Sequence, residues 1–134
     1  MLNSAYTFGS TLRLSVHEAR PLVEAALNAE GFGVLTEIDV AATLQAKLGI
    51  EQAPYLILGA CNPSLAHRAL QADPSIGALL PCNVVLRDDA SQTIVEAMDP
   101  RAIMGLVESP EVEAVAAEAE ERLRRVIGSL GADG

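Results

Sequence analysis

The chain has no tryptophan and only two tyrosines and two phenylalanines, so aromatic residues make up 3% of its 134 positions. Platforms on which the bases of a single-stranded nucleic acid could stack are therefore scarce. Basic residues are scarce as well. Nine Lys and Arg stand against eighteen Asp and Glu, and the net charge of -9 repels a phosphate backbone. No nucleic-acid partner is expected. No apolar run approaches the roughly 18 residues that a membrane span requires. The N-terminal MLNSAYTFGSTLRL lacks the basic and then apolar order of a signal peptide. Two cysteines are too few for a disulfide scaffold. These absences point to a soluble chain in the cytoplasm, with no membrane partner.

What is present is aliphatic. Half of the residues are apolar, and with so few aromatics the core must be built from Leu, Val, Ile and Ala. The length suits one domain, 1–134, large enough to bury a core. The densest apolar stretch is Ala53–Asp88, which holds both cysteines and four of the seven prolines. It reads as a buried strand over Tyr55–Ala60, a helix over Pro63–Gln71 and a second strand over Asn83–Arg87. Cys61 closes the first strand and Cys82 opens the second.

Around it the chain alternates strands and helices. Tyr6, Phe8, Ser10, Leu12 and Leu14 share one face of a period-two strand. Ser15 and Glu18 stand at capping-box spacing before a helix from Val16 to about Glu30, which should bury Ala19, Leu22, Val23, Ala26 and Leu27. Pro21 conflicts with it, because beyond the first turn a proline removes a backbone bond; a later start or a kink is expected. Gly33–Ile38 reads as a strand. Asp39 then caps a helix Val40–Leu48 with Val40, Leu44 and Leu48 in one row, stopped by Gly49.

After the central stretch, a turn over Asp88–Gln92 joins Asn83–Arg87 to Thr93–Met98 as an antiparallel hairpin, and Asp99-Pro100 ends its second arm. Arg101–Val107 reads as one or two short turns. Ser109 and Pro110 open a long last helix whose buried stripe is Val112, Val115, Ala119, Leu123 and Val126. Its surface is braced by the i,i+4 pairs Glu118–Arg122, Glu120–Arg124 and Glu121–Arg125. Gly128 should end it, leaving 128–134 as a frayed tail. The order β-α-β-α-β-α-β-β-α predicts an α+β (mixed α/β) fold, a single sheet of about five strands with helices packed on it.

Cys61 is the sharpest candidate for chemistry. It precedes Asn62, a good helix N-cap, and Pro63 at the first helical position, so the positive end of the helix would lower its thiol pKa. The competing reading, a small buried hydrophobe at a strand end, is favoured because free cysteine is among the most buried residue types. Cys82 follows Pro81. A parallel crossover between the two strands would hold the cysteines about 20 Å apart, whereas an antiparallel arrangement could bring them together. The intervening length permits either, and a crossover is its commoner use. His67 is expected to face water, as is His17. A Cys61–His67 nucleophile and base lacks a third, orienting residue. Two Cys and two His spread over four elements show no metal-ligand spacing, and no cofactor motif is present.

The blocks EGFGVLTEIDV (Glu30–Val40), YLILGACNPSLAHRAL (Tyr55–Leu70) and IGALLPCNVVL (Ile76–Leu86) resemble the domain of unknown function 302 family, in order and at its distances. The resemblance covers roughly Phe8–Met98, and its motif positions fall on Gly31, Phe32, Gly33, Cys61, Pro63, Leu80, Pro81 and Cys82. It implies a small α+β domain that dimerises and has no established activity.

The combined expectation is a homo-oligomeric, homodimeric module that binds a small molecule or a protein without catalysis. Its candidate site is Cys61, Asn62, Pro63, His67, Pro81 and Cys82. The alternative is a redox, sulfur or soft-metal carrier or enzyme using Cys61, and with it Cys82. Dimerisation is expected because a sheet covered on one face would leave residues such as Tyr6 and Phe8 in need of cover, and twofold pairing is the commonest solution.

Overall fold

The structure, a computed structural model, describes residues 2–131. Six strands form one sheet, in the order β1-β2-β6-β5-β4-β3, with every neighbouring pair antiparallel. They are β1 (Leu2–Asn3), β2 (Thr7–Leu12), β3 (Gly33–Asp39), β4 (Tyr55–Cys61), β5 (Cys82–Asp89) and β6 (Gln92–Met98). The helices are α1 (Val16–Ala29), α2 (Val40–Leu48), α3 (Pro63–Ala72), α4 (Pro100–Ile103) and α5 (Pro110–Gly131), with 3-10 turns at Pro74–Leu79 and Met104–Leu106. The fold is α+β as expected, with β1 as a sixth strand. Two residues carry no periodicity, so β1 exists through its pairing with β2 rather than through its own pattern.

Helix α1 begins at Val16, not later. The Glu18 amide donates to Ser15 Oγ at 3.1 Å and the Ser15 amide to Glu18 Oε1 at 3.0 Å, so the capping box is complete. Pro21 lies inside the helix on its exposed side. The lost backbone bond is outweighed by the cap and by the buried stripe Val16, Ala19, Val23 and Leu27. Leu22 falls off that stripe and is exposed. At the other end of the chain, Gly128 does not stop α5. The helix continues to Gly131 because Ile127 and Leu130 are buried against the sheet, which offsets the roughly 1 kcal/mol that a glycine costs a helix. The remainder of the expected tail, 132–134, lies outside the described residues.

Alternation along the strands gives the sheet an inner and an outer face. Phe8, Leu12, Val95, Ala97, Val84, Leu86, Leu58 and Ala60 point inward and make one core with α1 and the C-terminal half of α5. A second cluster joins α3, the turns around it and the N-terminal half of α5 through Leu65, Ala69, Ile76, Met104, Val112 and Val115. α5 thus runs across both. Phe8 needs no second chain to cover it: it is buried, with the Arg124 guanidinium 4.2 Å from its ring centroid. Tyr6 precedes β2 and is exposed.

The outer face is different. Ile38 stands across from Ile57, and Ile57 across from Val85, so an apolar row crosses three strands on the side away from α1 and α5. α2 contributes little cover, since none of its residues is buried and Leu48 is 65% exposed. The expected row Val40, Leu44, Leu48 is present as a pattern but has little to pack against.

Candidate functional site

The three blocks that stand out in the sequence converge on one place. β4 ends at Cys61 because Asn62 takes the N-cap position of α3, where its side-chain oxygen accepts from the Leu65 amide at 3.3 Å and Pro63 supplies the first helical residue. Opposite, β5 opens at Cys82, and the ladder pairs Cys82 with Ala60. On the other side of β4, Gly33 pairs with Cys61. Gly31, with a φ of +84°, makes the turn into β3, and a Cβ there would lie 2.9 Å from Asn62 Nδ2. Glycine at that position therefore serves both the turn and the cap of α3. Arg122 of α5 ties this corner down by donating to the Glu30 carbonyl at 3.0 Å.

These residues surround a small cavity of about 20 Å³. Cys61, Asn62, Pro81 and Cys82 all line it, together with Phe32 and Leu80. The strands are antiparallel, so the two cysteines do come together, and the commoner crossover is not what the chain uses. Met104, Val115 and Ala119 close the cavity from the last third of the chain. No local signal marked Met104: it sits in a short turn and reaches the site only because α4 folds back on α5.

The surroundings of the thiols go against the activated-thiol reading of Cys61 and with the packed-residue reading that the sequence favours. Burial pushes the Cys61 pKa up rather than the helix terminus pulling it down. Cys82, 5% exposed, is pushed from an ordinary 9.0 up to about 11, by burial first and by the neighbouring Cys61 second. Burial disfavours the thiolate at both positions, and no neighbouring cation lowers either pKa, so neither sulfur is an activated nucleophile. His67 is exposed, as expected, and does not line the cavity; a Cys61–His67 pair does not form. Pro63 is exposed and acts through the start of α3. Both cysteines are free thiols, and no group of three or more His, Cys, Asp and Glu gathers among the described residues. No helix among them is long and apolar enough to cross a membrane.

A larger concavity, of about 340 Å³, lies at the far end of β4. Ser15 and His17 from the start of α1, Asp39 and Ala42 from the start of α2, and Gln52, Tyr55 and Asp88 surround it. In the sequence Ser15 and Asp39 read as caps, His17 as surface, Asp88 as a turn former and Tyr55 as the start of a buried strand, and none of them signals a cleft.

The sequence profile of the domain of unknown function DUF302 matches residues 8–130, which brings α5 inside the family's extent. The crystal structure of an uncharacterized conserved DUF302 protein from Bacillus stearothermophilus is similar over 95% of this chain and 99% of its own, at 29% identity and a TM-score of 0.87. No curated protein matches the chain.

Proposed function

The chain belongs to the DUF302 family, and from that premise we propose that it is a cytoplasmic binding module without catalysis, assembled as a homodimer. The observation that carries this reading is the apolar row Ile38–Ile57–Val85 on the outer face of the sheet. Leu35 and Ile38 of the edge strand β3 are 67% and 49% exposed, and Leu48 and Ile50 extend the same segment. Among the described residues β3 also has one side without a partner strand. An apolar surface beside an unpaired strand edge favours association, and a second copy can cover it with the same patch in twofold symmetry. α2 contains no acidic residue, so in a chain of net charge -9 the helix adds no like-charge repulsion of its own to such a contact.

The cleft of about 340 Å³ beside α2 has the size of a small-molecule site, with Tyr55, Gln52 and His17 as its polar handles. Two neutral thiols without a neighbouring base argue against catalysis at Cys61. Two reduced cysteines suit the cytoplasm.

Light scattering at micromolar concentration tests the assembly. The expected mass is twice the 14.0 kDa of the chain, and Ile38→Glu, at a half-exposed position, returns it to the monomer with its circular dichroism unchanged. A wild-type monomer at that concentration ends the homodimer reading.

A further inference from the structure

We propose that Cys61, Cys82 and Met104 form a three-sulfur site for a monovalent copper ion. Cys61, Cys82 and Met104, from β4, β5 and the turn after α4, line one cavity. Its volume of about 20 Å³ is enough for a water-sized occupant, and a bare ion fits. The remaining wall is apolar, with Phe32, Leu65, Val115 and Ala119 among its residues. The one side-chain oxygen there, on Asn62, is engaged by the Leu65 amide. Calcium and magnesium need several oxygen donors, and structural zinc needs four ligands. Sulfur donors without oxygen select a soft ion, and among biological metals this is Cu(I).

The ladder separates this reading from a disulfide. Cys82 pairs with Ala60, so Cys61 is one residue out of step with it. Cross-strand disulfides need Cβ atoms that point at each other about 3.8 Å apart. A metal ion between the two sulfurs needs each to reach it at about 2.3 Å and does not need the Cβ atoms to face each other. On binding, Cu(I) replaces the proton on each thiol; both protons leave to water, the Met104 sulfur donates as a neutral ligand, and the oxidation state of the copper is unchanged. The bound site carries one net negative charge, which the N-terminus of the ten-residue helix α3 beside Cys61 helps to stabilise.

The test is an anaerobic competition of the reduced protein against bicinchoninate for Cu(I). Wild type should withhold one copper per chain, with three sulfur scatterers in its X-ray absorption spectrum, and Zn(II) should not displace it. Cys61→Ser should abolish retention, and the near-isosteric Met104→Leu should weaken it by about tenfold or more. Cys61 is half-buried and Met104→Leu conserves volume, so both variants stay folded even if Cys82→Ala does not. Equal retention by wild type and Cys61→Ser would overturn the site, and unchanged retention in Met104→Leu would overturn its three-sulfur form.

Discussion

Cys82 stands directly across the β4–β5 ladder from Ala60, and so one step from Cys61, although the two cysteines are twenty-one positions apart in the chain. That placement puts both cysteines at the wall of one small cavity, roofed by α3 and α5. Burial keeps both thiols protonated beyond their ordinary range.

The buried thiol should give the fold an alkaline weakness. The folded chain holds Cys82 protonated, so its contribution to stability is whole below the unfolded value near 9.0 and is lost as pH rises toward about 11. Urea unfolding across that window should show wild type losing on the order of 2 kcal/mol more than Cys82→Ala. In the same window, alkylation of Cys61 should keep accelerating instead of levelling off early. Identical pH slopes for wild type and variant would mean that Cys82 titrates as it does in the unfolded chain.

The β5–β6 hairpin should be open to improvement. Its two turn residues, Ala90 and Ser91, have φ of 52° and 71°, a left-handed pair that asparagine and glycine occupy with less strain. Replacing them together, as Ala90→Asn with Ser91→Gly, should raise stability by about 1 kcal/mol. A lower melting temperature in the double variant would show that side-chain contacts at the turn, not its backbone, set the balance.

Two glycines should respond in opposite ways to the same added methyl. A Cβ on Gly9 would overlap the Val95 carbonyl oxygen and lie 3.1 Å from Glu96 Cα, and both obstacles are backbone. At Gly33 nothing stands within 4 Å. Gly9→Ala should therefore cost about 2–3 kcal/mol by forcing β2 and β6 apart, while Gly33→Ala should be nearly neutral by chemical denaturation. Equal losses at the two positions would disprove the close β2–β6 approach.

What the sequence determined by itself is what nearest neighbours along the chain decide. Asp39 and Gly49 bound α2 because a cap and a left-handed stop act within one turn: the Ala42 amide donates to Asp39 Oδ1 at 2.9 Å, and Gly49 has a φ of +67°. The stripe Val112, Val115, Ala119, Leu123 and Val126 is buried as its spacing indicated, and the three i,i+4 ion pairs of α5 are formed. The DUF302 blocks were legible for the same reason. Each is a local need, such as the glycine turn at Gly31 or the cap at Asn62. Tertiary structure decided everything that depends on what lies opposite. Period-two and period-3.6 patterns say which residues form a face, not whether a partner covers it, so Leu48 and Phe8 were equally apolar in sequence and ended on opposite sides of the solvent boundary. The direction of β5 against β4 was open until twenty residues of connection were placed. With it came the meeting of Cys61, Cys82 and Met104, because sulfur atoms have no interaction long enough in range to announce one another along an unfolded chain.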